Sequence, residues 1–554
     1  MQSRKWMCLV LVLVMLLTMV ACSKSDDKTN EVTNAPPVAD SSGDSTTAQE
    51  DVKPTDAELQ NAVSGAQHLS AFTRNGKVVV NAACTQNITS LDTMQGQSGG
   101  QTMCMWDMIY ERLLTCDENG DPIGQLATKW ETNDDYTEWT FWLREGVYFH
   151  NGELFDAYDV EATMNRAIAG QGTYSQVTGL WSVMDHVEVI DNYTVKIFFR
   201  STYATPYDSW CLTMPILEDK ALSELGDSYF FDGYCYGTGK WKFKEFVDGA
   251  YISVTRNDNY WGGNTSNVDE FSLYFITEGS AIVTGMLSGE IDACNRLGAD
   301  LMSMYDGYNE ISLGKVSTNS IVFVGLQCGE GHPFNDVNVR KAFSYAIDRQ
   351  LIADAIMGGG NGIASWIPVG AYGYSDEFEP IYDPAQAKEL LENSSYKGEE
   401  IIIYVNTAVT NGEAMMLTVA DMANAIGFNI KLQMVEQAFV TDVRSTGEYD
   451  AYVVTCSWNS KDVGPTYKSR FGNPGHHHNY DNQELYDLIE EIQTASGTEK
   501  RTEILYNIQK IMFDEVAPAV PILTMQYNNA VREGLAGYRF DQYGMYYYTD
   551  IYIQ

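Results

Sequence analysis

Between residues 400 and 435 the chain reads strand, helix, strand, and that order dictates how the two strands pair. Glu400-Ile401-Ile402-Ile403-Tyr404-Val405 is a short, nearly unbroken apolar run, as a strand buried on both faces requires. Residues 413–426 carry apolar side chains at helical spacing and stop at Gly427. Residues 429–435 then alternate apolar and polar. A helix between two strands returns the chain to the edge where it began, so the strands must run parallel. An α/β body follows, with residues 449–455 as a further strand.

The front of the chain is patterned differently. Val78-Val79-Val80 opens it as a strand, and Trp139 to Leu143 leads through Arg144-Glu145-Gly146 to Val147-Tyr148-Phe149 in a hairpin pattern. Residues 187–190 and 193–197 flank Asp191-Asn192, which predicts a primed two-residue turn. Residues 241–246 and 251–254 surround Asp248-Gly249, a third hairpin. Antiparallel sheet is therefore expected through the first 250 residues. Further on, Val339, Ala342, Phe343, Ala346 and Ile347 share one helix face opened by Asn335 or Asp336. Asp383 with Pro384 starts another helix, with Gln386 placed for a capping box. Helices are also expected over 483–492 and 499–514, and a strand over 520–525.

The amino terminus adds location to architecture. Arg4 and Lys5 precede the apolar run Leu9 to Leu17, which is too short for a membrane span and reads as a cleaved signal segment. Small residues then meet Cys22, in the manner of a lipoprotein cleavage box. Residues 23–66 are almost wholly small and polar and cannot bury enough surface to fold, so a flexible leash is expected there. The formal charge is -40, which excludes nucleic acid and anionic lipid headgroups as partners. Of ten cysteines, eight belong to the body; no CxxC and no metal-ligand spacing occurs, leaving one or two bridges or buried thiols.

Catalytic signatures are missing: no GxSxG, HExxH, Walker loop or post-strand GxGxxG is present. Gly358-Gly359-Gly360 follows a helical stretch and reads as its stop. His476-His477-His478 sits in a turn-rich stretch, where a polar loop is the ordinary outcome and a metal site the rarer one. The abundant Tyr, Phe and Trp suit a cleft between domains, though most must be core.

Several ordered segments resemble the extracellular solute-binding proteins of family 5, the dipeptide, oligopeptide and nickel-type receptors that feed ABC importers. They begin with Ser90-Leu91-Asp92 and Leu126-Ala127-Thr128-Lys129-Trp130. The run from Leu143 to Gly152 and Phe155-Asp156-Ala157-Tyr158-Asp159-Val160 follow. Then come Gly237-Thr238-Gly239-Lys240-Trp241, the run from Arg256 to Gly263, Leu287-Ser288-Gly289-Glu290-Ile291-Asp292, and the run from Pro333 to Arg349. The resemblance implies a class II periplasmic-binding-protein-like α/β fold, with two lobes joined by hinge strands and an extra β-rich domain. On that plan residues 1–21 are signal and 22–66 lipidated linker. Lobe I comprises 67–103, 236–318 and 526–554, the extra domain 104–235, and lobe II 319–525.

It also implies a site. Peptide-binding members set a carboxylate on the peptide's amino terminus from a Trp-x-x-Asp run after a strand. Here the run is Trp458-Asn459-Ser460-Lys461-Asp462-Val463-Gly464-Pro465, so Lys461 stands where that aspartate belongs and Asp462 is one residue on. Trp458, Lys461, Asp462, Trp366, Tyr527 and Met94 are the expected ligand-binding residues, and Cys22 the lipidated one. If Asp462 is the anchor, the ligand is a peptide. If Lys461 enters the pocket, an anionic solute or a glycan fits better. The expected function is capture of a peptide or similar small solute for a membrane permease, by a monomeric, lipid-anchored protein with no cofactor and no metal. The rival is an anchored hydrolase using paired carboxylates.

Overall fold

The computed structural model describes residues 68–95, 100–117, 122–202, 213–230, 234–458, 461–472, 477–495, 497–542 and 544–554. Cys22, the expected signal and leash, Cys211 and His476 lie outside the described residues. Among the described residues, no helix is long and apolar enough to cross a membrane.

One mixed sheet of twelve strands organises the body. Its main path runs Ile430–Val435, Ile401–Asn406, Ala451–Ser457, Ile311–Leu326, Ala519–Arg532, Ala293–Leu297, Lys77–Cys84, Glu270–Phe275, Tyr251–Arg256, Trp241–Val247. The strand-helix-strand unit forms as expected: Ile401 pairs with Ile430 in parallel register, and the helix Gly412–Ile426 connects them. That helix buries Met415, Met416, Val419, Ala420, Ala423 and Ile426, a stripe at spacings of three and four. Gly427 ends it at φ 120°, a conformation open to glycine.

Local signals account for the other helix starts. Asp336 accepts from Asn338 N to open Val337–Tyr345, and Asp383 accepts from Ala385 N and Gln386 N to open Pro384–Glu392. In front, Trp241–Val247 and Tyr251–Arg256 form the expected hairpin, with Gly249 at φ 70° in its turn.

Two expectations need correction. Glu138–Leu143 does not pair with residues 147–149. Its neighbours are Ala127–Thr132 and Thr194–Phe199 in a separate four-stranded sheet. Val147 and Phe149 point their side chains into the core (1% and 2% exposed), and Phe149 N donates to Glu153 O, so that backbone is already committed. The second hairpin forms, but Asp191 pairs with Thr194 and the turn is Asn192-Tyr193. Neither turn residue has positive φ; the Asp191 carboxylate accepts from Tyr193 N in place of a primed turn.

Apolar side chains gather into two large cores and one small one. The front core includes Val80, Trp139, Phe141, Trp181, Ile197, Trp241 and Phe271. The back core includes Phe323, Phe343, Trp366, Val405, Val419, Val453 and Leu523. A smaller cluster, Ile282, Val283, Met286, Cys294, Tyr305 and Ala530, lies along one part of the sheet. Cys84, Cys104, Cys235, Cys294, Cys328 and Cys456 are buried thiols, not bridges.

Among the described residues, two long strands link the back core to the rest of the sheet. Ile311–Leu326 and Ala519–Arg532 pair antiparallel, and at about 3.3 Å per residue each exceeds 40 Å in length. Their far ends carry Phe323 and Leu523 into the back core, while Val531 reaches the front core and Ile311 the small cluster. They are hinge strands by position. Phe323 is fully buried and meets Trp366 (4.9 Å), Phe471 (6.2 Å) and Tyr452 (6.2 Å) edge-on. Phe323→Ala should cost about 3–5 kcal/mol, read as a lower urea midpoint with unchanged slope.

Candidate functional site

The hinge strands lose register midway. Ser317 pairs with Gln526 and Ile321 with Thr524, so Thr318-Asn319-Ser320 faces Met525 alone. Such a bulge bends a ladder and frees backbone groups. Side chains take up the slack: Thr318 Oγ1 donates to Met525 O at 2.8 Å, and Ser320 Oγ lies 2.8 Å from Ser457 Oγ. Asn319 N donates to Gln542 O at 2.6 Å, and Asn319 O accepts from Trp458 N at 3.3 Å. The bulge therefore ties together the strand Ala451–Ser457, the loop after it and the carboxyl-terminal segment.

Several buried polar atoms on these strands and their neighbours lack partners. Among the described residues, Asn319 Nδ2, Trp458 Nε1, Thr524 Oγ1, Asn528 Oδ1, Asn295 Oδ1 and both amide atoms of Asn529 make no hydrogen bond. Their residues are 8% exposed or less. Leaving a buried polar group unpaired costs about 1–3 kcal/mol.

The expected residues divide between this place and elsewhere. Trp458 is 2% exposed, stacks on Tyr467 at 5.6 Å and begins the loop at the bulge. Lys461 is half-buried; its carbonyl accepts from Tyr372 N at 2.8 Å, and its ammonium has no ion pair among the described residues. Asp462 turns inward. Its carboxylate accepts from Arg501 Nε and, at 2.9 Å, from both Arg501 Nη2 and Gly464 N. Arg501 Nη1 in turn donates to Ile492 O and Ala495 O. The loop is thereby fastened to the helices Gln483–Thr494 and Thr498–Glu515.

Tyr527 sits on the second hinge strand opposite Val316, half-buried, with its ring 4.3 Å from the Arg296 guanidinium. Trp366 and Met94 are placed apart from the bulge. Trp366 is 1% exposed and packs on Phe323 and Phe471, a core position. Met94 is fully buried beside Asp92, which accepts from Met94 N and holds Arg166 through two bonds.

His478 is a core histidine. Leu326 O, Arg470 O and the hydroxyls of Tyr449 and Tyr452 surround its ring within 3.4 Å, so neither nitrogen is presented to a metal. Burial pushes its pKa down to about 4.

Arg296, Asn319 and Asn528-Asn529 escaped sequence reasoning. For Asn319 and Asn528-Asn529 the signal was present as polar residues interrupting apolar strand runs, at Thr318-Asn319-Ser320 and Gln526 to Asn529.

With this geometry in view, the comparisons with known proteins are decisive. Residues 121–476 match the model of the bacterial extracellular solute-binding proteins, family 5. The chain belongs to that family. The Probable D,D-dipeptide-binding periplasmic protein DdpA of Escherichia coli is 24% identical over 454 residues, covering 78% of this chain and 86% of the relative. The periplasmic murein peptide-binding protein MppA of the same organism is 25% identical over 469 residues, covering 78% and 84%. The structure of the ABC transporter substrate binding protein CtaP from Listeria monocytogenes superposes with a TM-score of 0.74 at 20% identity, over 86% of this chain and 99% of that one. The family fold is the one described above.

Two outcomes test the local electrostatics. Asp462→Asn leaves Arg501 buried without its anion and should cost about 3–5 kcal/mol in chemical unfolding, whereas Lys461→Ala should move stability by less than about 1 kcal/mol. His478 binds its proton near 6.5 when unfolded but only near 4 when folded. Stability held above pH 6.5 is therefore lost as pH falls through that window. His478→Gln should remove up to about 3 kcal/mol of this loss, measured as the difference in urea unfolding at pH 7 and pH 4.5.

Proposed function

We propose that this protein captures a peptide or similar small solute at the hinge bulge and hands it to an ABC permease, performing no chemistry on it. The observation that carries the reading is the juxtaposition at the bulge. Two strands join two separately packed cores, and where they lose register they present partnerless polar side chains beside Trp458 and Tyr527. A solute bound there would touch groups from both halves, so it would favour the closed arrangement by its own contacts. Backbone-like amides answer unpaired asparagine amides, an indole N–H and a hydroxyl well. The printed names of two relatives, a D,D-dipeptide-binding and a murein peptide-binding protein, lean the same way.

In this reading Trp458 and Tyr527 are contact residues, Asp462 braces their loop through Arg501, and Lys461 is the charge at the rim. Lipid on Cys22 and the polar stretch behind it would keep the body on the outer face of the membrane beside its permease. The division into two lobes and an extra domain follows the same plan, with the body acting as a monomer.

Differential scanning fluorimetry of the purified body against di- to pentapeptide pools tests the proposal. Saturation at about a hundred times Kd should add about 2.7 kcal/mol of stability and raise the Tm by several degrees. Absence of any shift from all pools at millimolar concentration would overturn it.

A further inference from the structure

Arg296 is a cation set at the hinge without a countercharge. It lies in the bulge of the strand Ala293–Leu297, where pairing jumps from Cys294↔Ala530 to Leu297↔Asn528. Its φ of 56° is left-handed, a strained conformation for a residue that carries a side chain. The guanidinium is held over the Tyr527 ring at 4.3 Å and near the Tyr546 ring at 5.6 Å. Its Nε donates to Tyr546 Oη, and Nη2 donates to Gly544 O at 3.3 Å. Burial pushes the Tyr546 hydroxyl's pKa up, so it meets Arg296 as a neutral phenol.

No carboxylate pairs with Arg296 among the described residues, and its Nη1 makes no hydrogen bond there. Arg74, Arg112, Arg166, Arg501 and Arg532 each meet an aspartate, whereas the buried Arg349, like Arg296, is held by carbonyls and a hydroxyl. A chain with 75 acidic residues against 35 basic ones has carboxylates to spare, yet none is placed here. The neighbouring buried atoms Asn295 Oδ1, Asn528 Oδ1 and both amide atoms of Asn529 also lack partners. Strained backbone and an oriented guanidinium coincide at Arg296, and Asn295 beside it in the strand has an unpaired amide oxygen.

We propose that Arg296 is a specificity-determining residue of the hinge site and that the solute it selects carries a carboxylate. The guanidinium offers a planar fork to such a group, and Tyr527 and Tyr546 keep the fork in its plane. The assignment rests on the reading that the hinge is the capture site.

Isothermal titration of the native protein separates the two ideas. The probes are Ala-Glu-Ala and Ala-Gln-Ala, each as free acid and as carboxyl-terminal amide, together with glutarate and gluconate. Affinity should fall about tenfold or more from the Ala-Glu-Ala acid to the Ala-Gln-Ala amide. Arg296→Gln should erase that difference, and Arg296→Lys should restore part of it, with ligand-free melting checked for both. Equal binding of acids and amides by the native protein would overturn the Arg296 assignment and leave peptide capture standing; so would carboxylate preference surviving in Arg296→Gln. If Arg296→Gln does not fold, the acid-amide comparison on native protein and on Arg296→Lys decides. Arg296-dependent binding of glutarate or gluconate with no peptide binding would keep the assignment and overturn the peptide reading. Binding of none of the six would overturn both.

Discussion

Everything in this molecule hangs on one antiparallel ladder, the pairing of Ile311–Leu326 with Ala519–Arg532. A continuous ladder transmits stress well because each residue is held by its neighbours. This one is interrupted where Thr318-Asn319-Ser320 stands against Met525 alone. On one side Phe323, Val324 and Leu523 are locked in an aromatic and aliphatic core, and on the other Ile311, Ala530 and Val531 are locked in different ones. Packing thus fixes both ends of the ladder and leaves the residues of the bulge as its least constrained part. Thr318 and Ser320 replace lost ladder bonds with side-chain ones, which can re-form over a range of angles.

The same few residues bear a cost that folding alone does not justify. Valine at Thr524, Asn528 or Asn529 would bury surface at a gain of about 25 cal/mol per Å², and no donor or acceptor would be stranded. Instead the polar atoms are there, nearly sealed and unpaired. Elsewhere some buried polar atoms also lack partners, Gln101 Nε2, Arg470 Nε and Gln509 Nε2 among them, and other groups are fully satisfied. Glu111 is the example: it accepts from Thr238, Tyr260 and Trp261.

Much of the scaffold was legible because its signals are local. The strand-helix-strand unit at 400–435 declares itself by period, and Asp336, Asp383 and Gly427 declare helix ends within three residues of where they act. What was not legible depends on partners far along the chain. Residues 139–149 look like a hairpin, but Trp139 and Phe141 find better neighbours in Ile197 and Val195. Asp462 reads as an available anchor until Arg501, thirty-nine positions on, is seen to hold it. Trp366 has the composition of a cleft residue and the surroundings of a core one, since its fate is decided by Phe323 and Phe471. Arg296 carries no local mark at all: its role comes from a bulge and from Tyr527 and Tyr546, both more than two hundred residues away.

Charge gives the site its final constraint. At -40 the surface repels anions, but salt limits that repulsion to about 8–10 Å, and only the last part of an approach feels individual groups. On the proposed reading, Lys461 and Arg296 are cations that an incoming solute meets there, Arg296 held against its tyrosines. Asp462, the carboxylate nearest in sequence, is withdrawn into its pair with Arg501 and does not cancel them. An acidic exterior around a cationic hinge works against loose association with anions at large and leaves recognition to contact. On the proposed reading, discrimination falls to shape and hydrogen bonding at the bulge, where a solute would have to meet groups of both halves together to favour a closed arrangement.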